Sequence, residues 1–202
     1  MDQTDIEYYG SFMPVLLEEQ QIILEEIRKI LASLADSPEQ APAEHLESRI
    51  KCAQSLEAKL KKQGFPSGPA SGIKNLMDLI GVRIVTHFIG DVYTVLDGIK
   101  NSGLWEIYLI KDYIADPKPN GYRSLHVIIS LPADVPAGTL KAEIQLRTIA
   151  MDCWASLEHQ LKYKKNIKNT DLIVSELKRC ADEMASTDLT LQTIREMMQE
   201  NI

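Results

Sequence analysis

The chain has 202 residues with 22 basic and 29 acidic side chains, a net charge of −7. Its 45% hydrophobic content, 10 Gly and 9 Pro exclude a disordered or fibrous chain, and one domain with its own core is expected. The acidic balance argues against a protein that coats nucleic acid, so no DNA partner is expected.

Ser11 is placed to cap a first helix, with Pro14 in its opening turn. Leu16, Ile23, Ile27, Ile30 and Leu34 then recur at helical spacing, which predicts an amphipathic helix of about 20 residues. Residues 35–46 read as a linker or a frayed helix end. A second helix is expected from about Ala53 to Lys62, then a Gly/Pro/Ser loop, then a short helix from about Ile73 to Leu79. GVRIVTHF, 81–88, reads as a buried strand. Gly90 to Asn101 reads as a helix with Val92, Val95, Leu96 and Ile99 on one side. Strands follow at 104–110 and 123–130, separated by a turn-rich stretch. In TLKAEIQLR, 139–147, Leu140, Ala142, Ile144 and Leu146 alternate with Lys141, Glu143, Gln145 and Arg147, which predicts a strand with one apolar and one polar face. Helices are expected over about 149–164 and 171–199, the second with a break at Ser186–Asp188. The fold class is therefore α+β: a mixed four- to five-stranded sheet flanked by helices, with N- and C-terminal helical extensions.

The charge is unevenly spread. Residues 1–48 come to −9, residues 49–83 to +5, residues 111–168 to +3 and residues 169–202 to −4. A basic centre suits a small, highly charged anion, although solvated acidic helix faces would give the same profile. Arg49, Lys51, Lys59, Lys62 and Arg83 can bind phosphate if the fold gathers them, Arg through bidentate geometry and Lys as a point charge. Asp78 precedes one strand and Glu143 projects from the polar face of another. If they meet, two carboxylates in a basic domain can hold Mg²⁺ against phosphates. In PKPNGYRSLH, 117–126, Asn120-Gly121 is a turn, and Tyr122 beside it either stacks on a base or fills an edge-strand core. Glu158, in WASLEH, either reaches active-site bases or is a surface helix acid. Cys52, Cys153 and Cys180 are too few and too far apart for a disulfide framework or zinc cluster, and are expected to be small buried hydrophobes. With no leader-like start and no apolar run near ~18 residues, a cytoplasmic location without a membrane partner is expected. No GxxxxGK[ST] or GxGxxG run is present.

SRIK at 48–51, DLIGVRI at 78–84, KDYIADPKPNGYRSLH at 111–126 and EIQLRTIAMDCWASLEH at 143–159, with LKYK after it, together resemble the small alarmone synthetases. These are the single-domain branch of the bacterial (p)ppGpp synthetase family. The resemblance covers roughly residues 45–165. It implies a nucleotidyltransferase-like catalytic domain there, between a helical extension at 1–44 and another at 166–202. It implies a GTP pyrophosphokinase that moves the β,γ-pyrophosphoryl group of ATP to the ribose 3′-OH of GDP or GTP. Asp78 and Glu143 are then the catalytic pair and the Mg²⁺ ligands. Arg49, Lys51, Lys59 and Arg83 match ATP-binding positions, the two arginines sandwiching adenine. Tyr122 matches the tyrosine that stacks guanine. Lys111, Lys118, Asn120, His126, Gln145 and Arg147 complete the acceptor GDP/GTP pocket. The family implies a homo-oligomer, commonly a homotetramer, and in some members (p)ppGpp as an allosteric ligand. After the RIK triplet the chain reads Cys52, Ala53, Gln54, Ser55, where the family often has Ser-Pro-Glu-Ser. Long bifunctional members carry a hydrolase domain whose His-Asp motif is absent here, so hydrolysis is not expected. The alternatives are a nucleotidyltransferase of another specificity and a non-catalytic nucleotide- or RNA-binding regulator.

Overall fold

The computed structural model describes residues 2–35, 41–132, 135, 138–162 and 170–200. Five strands form one mixed sheet: β1 (Ala43–Ile50), β2 (Ile80–Thr86), β3 (Glu106–Asp112), β4 (Leu125–Ser130) and β5 (Lys141–Thr148), in the spatial order β1-β2-β5-β4-β3. Only β2 and β5 run parallel; every other pair is antiparallel. The alternation expected in residues 139–147 is realised. Ala142, Ile144 and Leu146 are fully buried, and Lys141, Glu143 and Gln145 face the other way, half-buried. β2 carries Ile80, Val82 and Ile84 on that same apolar face.

Two helices cover the apolar face. α2 (Met13–Ser33) buries Leu16, Ile23, Ile27 and Ile30, the stripe expected from its spacing. α5 (Ile89–Ser102) buries Val92, Val95, Leu96 and Ile99. Each fully buried aliphatic side chain is worth about 1.5–3 kcal/mol of transfer free energy, so this layer is the main source of stability. Where α2 and α5 cross, a Cβ at Gly98 would lie 2.9 Å from both Ile30 and Leu34. A side chain there would require the ends of both side chains to shift.

The start of the chain differs from expectation. Ser11 lies in a 3₁₀ turn, Gly10–Phe12, and caps nothing. A short α1 (Gln3–Tyr9) precedes it, and α2 begins at Met13 with Pro14 in its first turn. α1 is held by its own polar groups: Asp5 accepts the backbone N–H of Ala53 at 2.8 Å, and the Tyr9 hydroxyl donates to the Lys51 carbonyl at 2.6 Å. The first of these satisfies an open N–H at the start of α3 (Ala53–Gln63), whose own N-cap residue Cys52 makes no side-chain capping bond.

Further corrections concern β1, α4, α7 and the cysteines. Part of the expected linker 35–46 is strand, because Ala43–Ile50 pairs along β2; residues 36–40 lie outside the described ones. α4 spans Pro69–Asn75 and stops before Leu76, whose extended backbone leads Asp78 into the sheet. α6 (Ile149–Lys162) is followed by α7 (Thr170–Glu200), which has no break at Ser186–Asp188. Asp188 is 4% exposed and takes the Thr148 hydroxyl's hydrogen bond, so a tertiary contact fixes the helix where local propensity is weak. All three cysteines are exposed rather than buried. Among the described residues no helix is long and apolar enough to cross a membrane.

Candidate active site

Strand register builds the site. On the sheet face opposite the core, partners in adjacent strands line up as Glu47, Arg83, Gln145, His126 and Lys111, one from each of β1, β2, β5, β4 and β3. The neighbouring row begins Arg49, Gly81, Glu143. Directly paired residues share a face, so the register alone brings these polar groups together.

One half of the site lies across β1, β2 and β5. Asp78 stands just before β2, and its Oδ2 accepts both Lys51 at 3.0 Å and Lys59 at 2.7 Å. Its Oδ1 is buried and has no partner among the described residues. The cleft beside it is lined by Glu47, Arg49, Lys51, Asp78, Arg83 and Glu143, with Gln145 at its floor. It encloses about 110 Å³. That is well below the ~300–1,000 Å³ of an enclosing ligand pocket, so the cleft is an open one. Arg83 reaches Asp152 at 3.2 Å and Glu47 at 3.7 Å, while its Nε is buried without a partner among the described residues. Exposed Lys62 stands apart from the cleft, because α3 turns it to solvent.

The other half lies across β4, β5 and the turn before β4. Glu143 Oε1 meets His126 Nδ1 at 3.0 Å, and its Oε2 accepts Gln145 Nε2 at 2.6 Å. Burial pushes the Glu143 carboxyl up, but the His126 hydrogen bond and charge, the Gln145 amide and Lys59 outweigh it and hold the pKa at about 2. Glu143 is therefore a carboxylate at neutral pH. His126 Nε2 lies 2.9 Å from the Tyr122 hydroxyl, which also accepts Arg147 Nη2 at 2.6 Å. Arg147 is 5% exposed and donates further to Gln145, Ser124 and Asp152. Lys118 Nζ sits 4.6 Å from the Tyr122 ring centre and 4.4 Å from that of Tyr113.

The turn carrying Asn120 and Tyr122 is held at both ends. Gly121 N–H donates to the Lys118 carbonyl at 2.8 Å, and Asn120 Nδ2 donates to Glu158 at 3.0 Å. Gly121 has φ +87° and presses on α7, where a Cβ would lie 2.6 Å from the Ala181 Cβ. Arg123 next to it bonds the Ala181 carbonyl and Asp182, and Trp154 Nε1 donates to the Leu177 carbonyl at 2.8 Å.

Of the residues singled out from sequence, Arg49, Lys51, Asp78, Arg83, Glu143 and Gln145 line one cleft, and Lys59 joins them through Asp78. Tyr122, His126 and Arg147 form the adjoining network, with Lys118 over the tyrosine. Asn120 bonds Glu158, and Lys111 is exposed beside His126 on β3. Tyr113 and Asp152 were missed. Tyr113 packs edge-on against Tyr122 and His126, and lies inside the KDYIADPKPNGY run that could have flagged it. Asp152 reads as an ordinary acid in the first turn of a helix.

Chemically, the site offers several carboxylates, a set of cations and a half-buried aromatic ring on one sheet face. Among the described residues no group of three or more His, Cys, Asp or Glu side chains converges on a metal position. A family model for a region found in RelA/SpoT proteins matches residues 48–168. The chain is 44% identical over 143 residues to the GTP pyrophosphokinase YwaC of Bacillus subtilis, covering 70% of this chain and 68% of that one. It is similar in structure to the small alarmone synthetase 2 of B. subtilis, with a TM-score of 0.75, 35% identity, and coverage of 93% and 100%. It is also similar to the small alarmone synthetase 1 of the same organism bound to its product pppGpp, with a TM-score of 0.79, 27% identity, and coverage of 98% and 100%.

Proposed function

The chain belongs to the RelA/SpoT family, on its small alarmone synthetase branch, and we propose on that footing how its site acts as a (p)ppGpp synthetase. The protein is a GTP pyrophosphokinase. It transfers the β,γ-pyrophosphoryl group of ATP to the 3′-hydroxyl of GDP or GTP and leaves AMP. The observation that carries the site assignment is the meeting of Asp78 and Glu143 with Lys51, Arg49 and Arg83 in one cleft.

Pyrophosphoryl transfer asks for an oxygen held in line with the β-phosphorus, for charge neutralisation, and for loss of the hydroxyl proton. Arg49 and Arg83 flank the donor base, and Lys51 and Lys59 take its phosphates. Both lysines already hold Asp78, so the phosphates compete with that carboxylate for the same ammonium groups. Tyr122 receives the acceptor guanine, with Lys118, Lys111, Asn120 and Arg147 around it. Glu143 faces the acceptor hydroxyl. With a pKa of about 2 it is a weak proton acceptor. Its main work is to orient the hydroxyl and stabilise positive charge, with proton loss late in the transfer.

Mg²⁺ fits this pair. Asp78 Oδ1 is a buried oxygen without a partner among the described residues, and Mg²⁺ is usually held by one or two carboxylates plus substrate phosphates and water. Asp78 and Glu143 would hold it, and when bound it neutralises charge on the transferring phosphates. We assign the catalytic unit to residues 45–165, preceded by α1 and α2 and followed by α7. Exposed Leu189, Ile194, Met197 and Met198 on α7 suit a homo-oligomer, by family habit a homotetramer. ATP and GTP as substrates imply the cytoplasm.

The test is product analysis with ATP, Mg²⁺ and GDP or GTP. The expected products are AMP and a 3′-pyrophosphorylated guanosine. Release of free pyrophosphate would instead identify a nucleotidyltransferase, and tight RNA binding without turnover a regulator.

A further inference from the structure

We propose that Asp152 is a positioning residue that couples the donor and acceptor nucleotide sites, because one of its oxygens is shared by an arginine from each. This rests on the assignment of Arg83 to the donor side and Tyr122 to the acceptor side. Asp152 Oδ1 lies 3.2 Å from Arg83 Nη1 and 3.1 Å from Arg147 Nη1. Both distances exceed the ~2.7–2.9 Å usual for an unshared charge-assisted pair, as expected when two donors divide one acceptor. The Asp152 side chain is 17% exposed, so solvent screens the pairs little.

The two arginines are held unequally. Arg147 is buried and has four other bonds or contacts, to Tyr122, Gln145, Ser124 and the Tyr122 ring. Among the described residues Arg83 has, besides Asp152, only the more distant Glu47, whose side chain is 62% exposed, and its buried Nε has no partner there. Arg83 is therefore the one free to move. A donor base drawing Arg83 onto itself leaves Asp152 to Arg147 alone. That tightens Arg147 and, through the 2.6 Å bond, sets the Tyr122 hydroxyl. Occupation of the donor cleft so organises the acceptor side, and linkage requires the reverse effect to be equal.

The experiment is calorimetric titration of the whole chain with GDP, alone and with a saturating non-hydrolysable ATP analogue and Mg²⁺. In the wild type the analogue should tighten GDP binding by about five- to tenfold, within the usual range for coupled sites. In Asp152→Asn that enhancement should fall below about twofold, while GDP affinity without analogue stays within about threefold, which a merely structural loss would not spare. Asp152→Glu, which keeps the carboxylate, should recover part of it. Persistence of the enhancement in a folded Asp152→Asn protein, or its absence from the wild type, overturns the proposal. Arg83→Gln breaks the same bridge from the other side and serves if Asp152→Asn does not fold; it too must abolish the enhancement. If Arg83→Gln leaves affinity for the analogue itself unchanged, the donor-site assignment fails, and that failure is distinct from the loss of coupling.

Discussion

Gly121→Ala is the most direct probe of how the acceptor side is positioned. The added Cβ would meet the Ala181 Cβ at 2.6 Å and the Lys178 Cα at 3.3 Å, and neither can swing away. Overpacking of this kind costs about 1–3 kcal/mol. The backbone at φ +87° adds roughly 1–2 kcal/mol for any residue with a Cβ. Something must move. α7 is anchored on both sides of the contact, by Trp154 on Leu177 and by Thr148 on Asp188, and further along by Asp91 on Arg195. α7 is a 31-residue helix that moves only as a unit, so the five-residue turn 118–122 is the part that shifts, and it carries Tyr122 with it. If half or more of the penalty appears in acceptor binding, KM for GDP should rise about 10- to 100-fold, since each 1.4 kcal/mol is a factor of ten. Initial rates with varied GDP at saturating ATP measure this, beside titration with an ATP analogue and a thermal melt. The reasoning is refuted if KM for GDP stays within about twofold of wild type, or if affinity for the ATP analogue falls equally.

Three further outcomes are expected. Glu143→Gln should lower turnover by about 10²–10⁴-fold with ATP binding largely intact, read by single-turnover product formation and separate titration; near-normal turnover would remove its assigned role. Because the Glu143 carboxyl is held at about 2 from an ordinary 4.5, it adds stability above about pH 4.5 that is lost as pH falls toward 2. That is of order 3 kcal/mol, so urea unfolding at pH 7 and pH 3 should differ less in Glu143→Gln than in wild type. Trp154→Phe removes the bond to the Leu177 carbonyl and should cost about 1–2 kcal/mol, seen as a lower denaturant midpoint.

The residues gathered in the candidate site are more legible in the sequence than the elements that carry them. β5 was readable because its alternation is strict and one face is wholly aliphatic. β1 was not: AEHLESRI has a half-buried, irregular pattern on a sheet edge, and its strand character comes from pairing with β2. Arg49 was thus recognised without the strand that places it. The cysteines were misread because smallness and mild hydrophobicity say nothing about which helix face a residue occupies. In α7 the apolar spacing pointed to Leu191, Ile194 and Met198, yet these are exposed, while Ala181 and Asp188 are buried against α6 and the Tyr122 turn. A buried aspartate on a helix cannot be read from periodicity, because its burial depends on the Thr148 hydroxyl 40 residues away. Asp152 escaped because its partner Arg83 is distant in the sequence and only the folded sheet brings it beside Arg147.

The polar row Glu47, Arg83, Gln145, His126 and Lys111 takes one side chain from every strand. In β2, β4 and β5 a slip of one residue would turn the strand's member of the row toward the core and bring an aliphatic neighbour out in its place. No strand is a mere spacer between the two halves of the site. In the three inner strands the hydrophobic layer that disfavours a wrong alignment also keeps the polar row in line.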